Sequence, residues 1–286
     1  MSISLCVLGS GSAGNCTLIL LHNPDQADRF VLLDAGLSPR ETAKRLGPLG
    51  ITLEQISDVL ITHLDQDHLN RGWVSPKRCR SFTWHISRRH LSDAFAAGLP
   101  ANAVEPFNDD FQLSEQTFVS SVALPHDEKA TMGYRISHCG TELGFATDLG
   151  LVPPSLLAHF TNLDALAIES NYDRQMQLNS DRPSFLKRRI MGGLGHLSNE
   201  QSLEAVIKLD KSSKSKLQHV VLLHLSRHCN DPQLVKRLYA HRCPNLLDRL
   251  TITNQYSPTP MLRIAASDRI IEASHRPGQQ LNFLEA

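Results

Sequence analysis

Through the first third of the chain, apolar residues gather in short runs separated by tight turns. Residues 3–8, 16–21, 30–34 and 58–62 are rich in β-branched and aliphatic side chains, the composition of strands. Between the last two runs the pattern becomes that of a helix with a full start signal: Ser38 as N-cap, Pro39 at the first helical position and Glu41 closing a capping box. Strands resume at 82–86, 117–124, 132–137 and 142–147, with a helix over 90–97. The last part alternates, with a strand at 165–169, helices at 182–191 and 198–209, a strand at 219–225, a helix after Asp231-Pro232 and a strand at 249–253. Strand-rich blocks followed by helices predict sheets whose outer faces the helices cover. No repeat or linker divides residues 1–255, which are expected to form one domain, while 256–286, with Pro258, Pro260 and Pro277, reads as a final strand pair and a loose tail.

Composition narrows the partners. A chain of 286 residues that is 41% hydrophobic can bury a substantial core. Lys plus Arg equals Asp plus Glu at 29 each, so no net field draws in nucleic acid or membrane, and an anionic partner must be caught by a local patch. The N-terminus has no basic segment before an apolar one, and no run approaches about 18 apolar residues, so a cytoplasmic address is expected. Six scattered cysteines without a CxxC pair read as reduced, mostly buried thiols. Fourteen histidines are many for this length, and several stand where an apolar strand pattern stops.

The first glycine-rich segment misleads. Gly9-Ser10-Gly11-Ser12-Ala13-Gly14 fits GxGxxG, with Asp34 ending a later strand, but Asn15 to Leu21 reads NCTLILL, a strand where a dinucleotide fold needs a helix. The glycines fit a tight loop instead, one that brings bare backbone to a substrate or simply turns the chain.

The chemistry concentrates in Ile61-Thr62-His63-Leu64-Asp65-Gln66-Asp67-His68. Ligands at i and i+2 project from one side of an extended segment, and the next pair can turn towards a second ion. Imidazoles with carboxylates suit Zn, Fe or Mn. A polar turn with solvent-facing histidines is the bland alternative. Three further candidates end strand patterns: His126 after VALP, Asp148 after GFAT and His224 after VVLL.

With GSGSAGNC, LLDAG, ITHLDQDH, LPHD, ATDLG, IESNYD, KRRI, GHLSNE and LLHLSRHCNDP in this order, the chain resembles the metallo-β-lactamase fold hydrolases, and among them the YycJ or WalJ group, from about residue 4 to about residue 232. The resemblance implies an α/β (α+β) fold, an αββα sandwich of two mixed sheets flanked by helices, spanning residues 1–255. It implies two divalent metal ions: His63, position 65 and His126 would hold the first, Asp67, His68 and His224 the second, and Asp148 would bridge them. The departure is Asp65, where the family usually has His. Two divalent ions bring four positive charges; Asp67 and Asp148 leave two, Asp65 removes one more, and a bridging hydroxide brings the site to neutral. A hard carboxylate moves the preference from a zinc pair towards Fe or Mn.

Such a pair suits attack on a phosphodiester, thioester, lactam or other acyl group through a hydroxide bridging the ions. Ser198 and Gln201 form a capping box, so a helix N-terminus lies beside the site as a phosphate seat, with His196 before it to protonate a leaving oxygen; the alternative is a plain cap and a loop histidine. Lys187-Arg188-Arg189, with Lys77, Arg78 and Arg80, could supply local phosphate contacts, though a charge run is also an ordinary solvated helix face. Ser10, Asn15, Glu169, Asn171 and Ser198 are candidate substrate contacts, with Glu169-Ser170-Asn171 at a strand end able instead to orient the ligands, and Asp67 and His196 are candidate catalytic residues. The YycJ-like group is associated with 5′ exonuclease action on DNA, so the expected function is a metal-dependent phosphodiesterase acting on nucleic acid, with no membrane or obligate protein partner. A thioester or lactone hydrolase, a non-catalytic nucleotide- or DNA-binding regulatory module and a diiron redox protein are the other classes these residues allow.

Overall fold

Alternation of side chains along the strands builds the architecture. In a computed structural model, which describes residues 2–23, 26–74, 82–213 and 216–267, Ile3, Leu5 and Val7 of strand β1 (Ser2–Gly9) face one apolar core while Cys6 and Leu8 face another. The strand is therefore buried on both sides. It belongs to a seven-stranded sheet in the order β14-β1-β2-β3-β4-β5-β6, formed with β2 (Cys16–His22), β3 (Arg29–Leu33), β4 (Ile56–Leu60), β5 (Thr83–Ser87), β6 (Val104–Phe107) and β14 (Leu262–Ala265). A second sheet runs β13-β12-β11-β10-β9-β8-β7, from β7 (Asp110–Ser114), β8 (Thr117–Leu124), β9 (Thr131–His138), β10 (Thr141–Ala146), β11 (Ala165–Glu169), β12 (His219–Leu223) and β13 (Leu250–Ile252).

Both sheets are mixed: β1, β2 and β3 pair antiparallel and β3 to β6 parallel, while β7 to β10 pair antiparallel and β10 to β13 parallel. Ile3, Ile19, Val31 and Leu60 of the first sheet meet Val119, Tyr134, Phe145, Ala167 and Val221 of the second in the central core. Outside, α2 (Leu91–Ala97) packs Ala94 with Trp73 and Trp84 over the first sheet, on the side where α1 (Pro39–Leu46) buries Leu46. Over the second sheet lie α3 (Pro154–His159), α6 (Asn199–Ser212) and α7 (Pro232–Arg242), through Leu156, Leu203, Val206, Val235 and Tyr239. This is the expected αββα sandwich.

Four elements escape the sequence pattern. The strands β6 and β7 lie in AVEPFNDDFQLS, where Pro106 and an Asn-Asp turn mask two short runs; α3 begins on Pro154 without a side-chain cap, and α4 (Arg174–Asn179) is equally short. The capping box at α1 forms only by half, since Ser38 Oγ accepts from Glu41 N but the Glu41 carboxylate turns to Arg45 Nε at 2.8 Å. Among the described residues after 255, β14 pairs antiparallel with β1. Residues 268–286 lie outside the described residues, as do Lys77, Arg78, Arg80 and Cys79.

Candidate metal centre

Parallel strands of both sheets release the chain at one edge, and the polar residues collect there. Asp34 follows β3, His63 to His68 follow β4, His126 follows β8, Asp148 follows β10 and His224 follows β12. Asp34, Asp148 and His224 turn out of their strands with positive φ, at 60°, 51° and 54°, a conformation that non-glycine residues keep only where the surroundings enforce it. Gly36 brings the loop after β3 so near the ligand segment that an added Cβ would overlap the carbonyl oxygen of Asp67.

The histidines are oriented through their Nδ1 atoms. His68 Nδ1 lies 2.7 Å from Asp34 Oδ2, His63 Nδ1 3.0 Å from Thr62 Oγ1, His126 Nδ1 2.9 Å from the Gly195 carbonyl, and His224 Nδ1 3.1 Å from Glu169 Oε1. A partner at Nδ1 leaves the Nε2 lone pair as the donor to a metal. Ligand atoms of His63, Asp65 and His126 lie within 4.8 Å of one another, as do those of Asp67, His68 and His224, and those of His63, His68 and Asp148.

Unmet hydrogen bonding tests the fit for metal. Among the described residues, both carboxylate oxygens of Asp148 and Nε2 of His224 are buried without a partner in hydrogen-bond geometry, although His68 Nε2 stands 2.6 Å from one oxygen and His224 Nδ1 2.5 Å from the other. Short separations without directional bonds are what converging ligands present, and leaving such groups unpaired would be costly. The donor set, imidazole nitrogens with carboxylates, fits divalent ions.

Charge within the cluster is unevenly shared. Burial opposes the ionised form of Asp67, but His224 and His68 outweigh it and bring its carboxyl down to about 2. At Asp65, desolvation and then the Asp67 charge raise the carboxyl above its usual range, although its side chain is 61% exposed at the rim. Burial also opposes the imidazolium of His196, and Glu169 and Asp148 overcome this to lift it to about 9.

A cavity of about 320 Å³ opens on the cluster, lined by His63, Asp65, Asp67, His126, Asp148 and His224, and also by Asn171, His196, Arg182 and Arg189. Four of the proposed substrate contacts are engaged elsewhere. Ser10 Oγ accepts from the His224 N–H and donates to Asn15 Oδ1, while Asn15 Nδ2 reaches His68 Nε2 at 3.0 Å, so both support the ligand segments. Glu169 is wholly buried, with Oε1 2.7 Å from His196 Nδ1 and Oε2 accepting from the Leu149 and Leu197 N–H groups. Ser198 caps α6 and the N–H of Asn199 is taken by the Tyr172 carbonyl, and neither residue lines the cavity. Asn171 does line the cavity, donating to the His224 carbonyl at 2.7 Å. Sequence reasoning missed Asp34 as a positioning group; an aspartate closing an apolar strand in LLDAG was the available signal.

The fold and this edge cluster have relatives. A family model described as a β-lactamase superfamily domain matches residues 29–224, more than half of the chain. The chain belongs to the β-lactamase superfamily. Within it, the chain is 27% identical over 243 residues to exodeoxyribonuclease YycJ of Bacillus anthracis, covering 82% of this chain and 87% of that one. It is also 27% identical over 243 residues to exodeoxyribonuclease WalJ of Streptococcus pneumoniae, covering 80% and 83%. The metallo-β-lactamase fold protein YhfI from Bacillus subtilis superposes with a TM-score of 0.63 at 13% identity, over 90% of this chain and 98% of that one, which shows the shared fold. As a superfamily member with this His/Asp cluster, the protein is a metal-dependent hydrolase.

Proposed function

We propose that the protein is a binuclear metal-dependent phosphodiesterase acting on nucleic acid in the manner of a 5′ exonuclease. The observation that carries this reading is the composition of one cavity, where the His/Asp cluster shares its lining with Arg182 and Arg189. Anion-binding guanidinium forks beside a metal cluster suit a phosphodiester better than a neutral thioester or lactone. The names of the YycJ and WalJ relatives support the same substrate class.

In this reading His63, Asp65 and His126 would hold one ion, Asp67, His68 and His224 the other, with Asp148 between them. The hard Asp65 carboxylate favours Mn or Fe over a zinc pair. Bound divalent ions supply Lewis acidity towards the phosphate and a water acidic enough to be a nucleophile near neutral pH. Asp67 keeps part of its carboxylate towards the cavity and orients that nucleophile. Arg182, which donates to the neutral Gln177 Oε1, takes a non-bridging phosphate oxygen, while Arg189, paired through Nε and Nη2 with Asp127, frames the cavity. His196 has Nδ1 fixed by Glu169 and lines the cavity, so its Nε2 is the atom placed to hold a proton for the leaving oxygen.

The test pairs metal analysis with cleavage of end-labelled DNA and RNA by wild type and Asp67→Ala, each supplied with Mn, Fe, Zn or Mg. Wild type should shorten DNA from the 5′ end, and the variant should lose at least about 100-fold in rate. Unchanged cleavage by the variant would overturn the mechanism. Hydrolysis of thioesters without any phosphodiester cleavage would assign the centre to acyl chemistry, and DNA binding without cleavage under every metal would make it a regulatory module.

A further inference from the structure

Helix α5 (Ser184–Met191) borders the cavity, yet none of its residues is buried and none joins the three apolar cores. Helices in proteins ordinarily owe their stability to a packed apolar stripe. Here the anchors are polar. Arg189 Nη2 meets Asp127 Oδ2 at 2.7 Å, Lys187 Nζ donates to the Leu178 carbonyl at 2.7 Å, and the Ile190 carbonyl accepts from the His196 N–H at 2.8 Å. Just before the helix, Arg182 Nη1 donates to Gln177 Oε1 at 3.1 Å.

The helix is nonetheless rich in apolar side chains. Arg182, Leu186, Arg189 and Ile190 recur at spacings of three and four and line the cavity. Phe185, four residues before Arg189, is 67% exposed, and Leu194 beyond the helix is 56% exposed. The acidic groups facing the helix are Asp127, already spent on Arg189, and Asp65 at the cavity rim, which also acts on Arg189, with Asp181 just before the helix. Arg182 and Lys187 donate to neutral oxygens and so keep their charge for a ligand. An aromatic ring left in water among Arg182, Lys187, Arg188 and Arg189, continuous with a metal cluster, is the composition that binds single-stranded nucleic acid: a ring for the base and cations for the backbone.

We propose that α5 is a strand guide, in which Phe185 stacks on a base of a single-stranded polynucleotide whose phosphates run past Lys187 and Arg182 into the cavity. The proposal rests on the phosphodiesterase reading of the centre. It also specifies the substrate: a ring that stacks on an individual base of the strand calls for a chain end whose bases are unpaired.

The experiment measures fluorescence anisotropy of a labelled oligothymidylate of about 12 nucleotides, a length that spans one such site. The full-length protein is held in chelator, so that binding is read without cleavage. Phe185→Ala should weaken binding about 10-fold and Phe185→Trp should restore it, as one lost base stack requires. Circular dichroism and the melting temperature should stay at wild-type values in both variants, because the ring lies outside the cores. Equal affinity of wild type and Phe185→Ala overturns the strand guide, and so does wild-type binding to an acidic polypeptide as tight as to the oligonucleotide. Wild-type hydrolysis of a small chromogenic phosphodiester, with metal restored, tests the centre separately. Phe185-dependent binding with no such hydrolysis leaves the guide standing and removes the phosphodiesterase reading.

Discussion

Asp34 and Asp58 are both closed to solvent, belong to neighbouring strand segments of the same sheet and each hold a histidine. Asp34 Oδ2 lies 2.7 Å from His68 Nδ1, and Asp58 Oδ1 lies 2.8 Å from His85 Nε2. Their surroundings diverge. Asp58 also meets Arg29 Nε at 2.7 Å and Ser57 Oγ at 2.5 Å; burial opposes its charge, but these donors bring the carboxyl down to about 2. Around Asp34 burial dominates His68 and Thr62, and the carboxyl is raised. The rings differ as well. His85 has its outer nitrogen tied to Asp58 and lies flat on Phe111, at 4.7 Å between centroids and 10° between planes, whereas His68 turns Nε2 into the ligand cluster. Burial and pairing alike describe both sites; the ring nitrogen that the carboxylate takes, and the presence of a second cation, separate a pair that holds the fold from one that aims a ligand.

The sharpest way to break the comparison is the same isosteric change at both positions. Asp58→Asn strips Arg29 of its counter-charge and His85 of a carboxylate acceptor, and should lower stability by about 3 kcal/mol in denaturant unfolding, with metal content unchanged. Unaltered stability, or loss of metal, would erase the distinction. The pH dependence has a determined sign. Because the folded carboxyl of Asp58 titrates at about 2, below the ordinary value of about 3.9, the unfolded chain binds more protons between the two. The stabilisation is complete above that ordinary value and disappears as pH falls towards 2. Wild type should therefore lose about 2 kcal/mol relative to Asp58→Asn across that window.

The comparison also marks what could be read from sequence. His63, Asp65, Asp67, His68, His126, Asp148 and His224 were visible as polar residues where apolar runs stop, because strand ends and ligand chemistry are both local properties. Strand and helix spacing predicted sheets covered by helices, the αββα sandwich itself was what the family resemblance implied, and β6 and β7 were lost where Pro106 and Asn108-Asp109 interrupt the runs. Glu169 was legible as a group that could orient ligands, but the partners of Asp34, Ser10, Asn15 and Glu169 could not be assigned, since which nitrogen of a ring is engaged depends on segments far apart in the chain. Ser198 shows the same limit: its capping box is local and was legible, but the Tyr172 carbonyl that takes the neighbouring N–H comes from a separate segment.

Asp34→Asn should give the opposite profile to Asp58→Asn. Thr62 donates its N–H and its hydroxyl to Asp34 Oδ1, so the amide oxygen of the variant stays there and the NH₂ faces His68 Nδ1. That imidazole must then accept at Nδ1 and carry its proton on Nε2, which removes the lone pair a metal needs. Metal affinity in a competitive chelator titration should fall by about 10- to 100-fold. Stability of the metal-free protein should move by no more than about 1 kcal/mol, because the hydrogen bonds are exchanged rather than lost. A metal affinity equal to wild type would show that His68 is no ligand.

The smallest effect probes the ring beneath His85. Phe111 stacks on it almost in parallel and also approaches Phe107, with 4.8 Å between those centroids. Phe111→Leu keeps an apolar side chain and removes the aromatic face. It should cost about 1 kcal/mol, the scale of a stacking contact beyond simple burial. If the Asp58 pair holds the fold independently of the centre, this loss should appear in unfolding while metal affinity stays fixed. It should also shrink in an Asp58→Asn background, where His85 no longer has its ring pinned from the other side. Strict additivity of the two substitutions would mean that Asp58 does not hold the ring against Phe111.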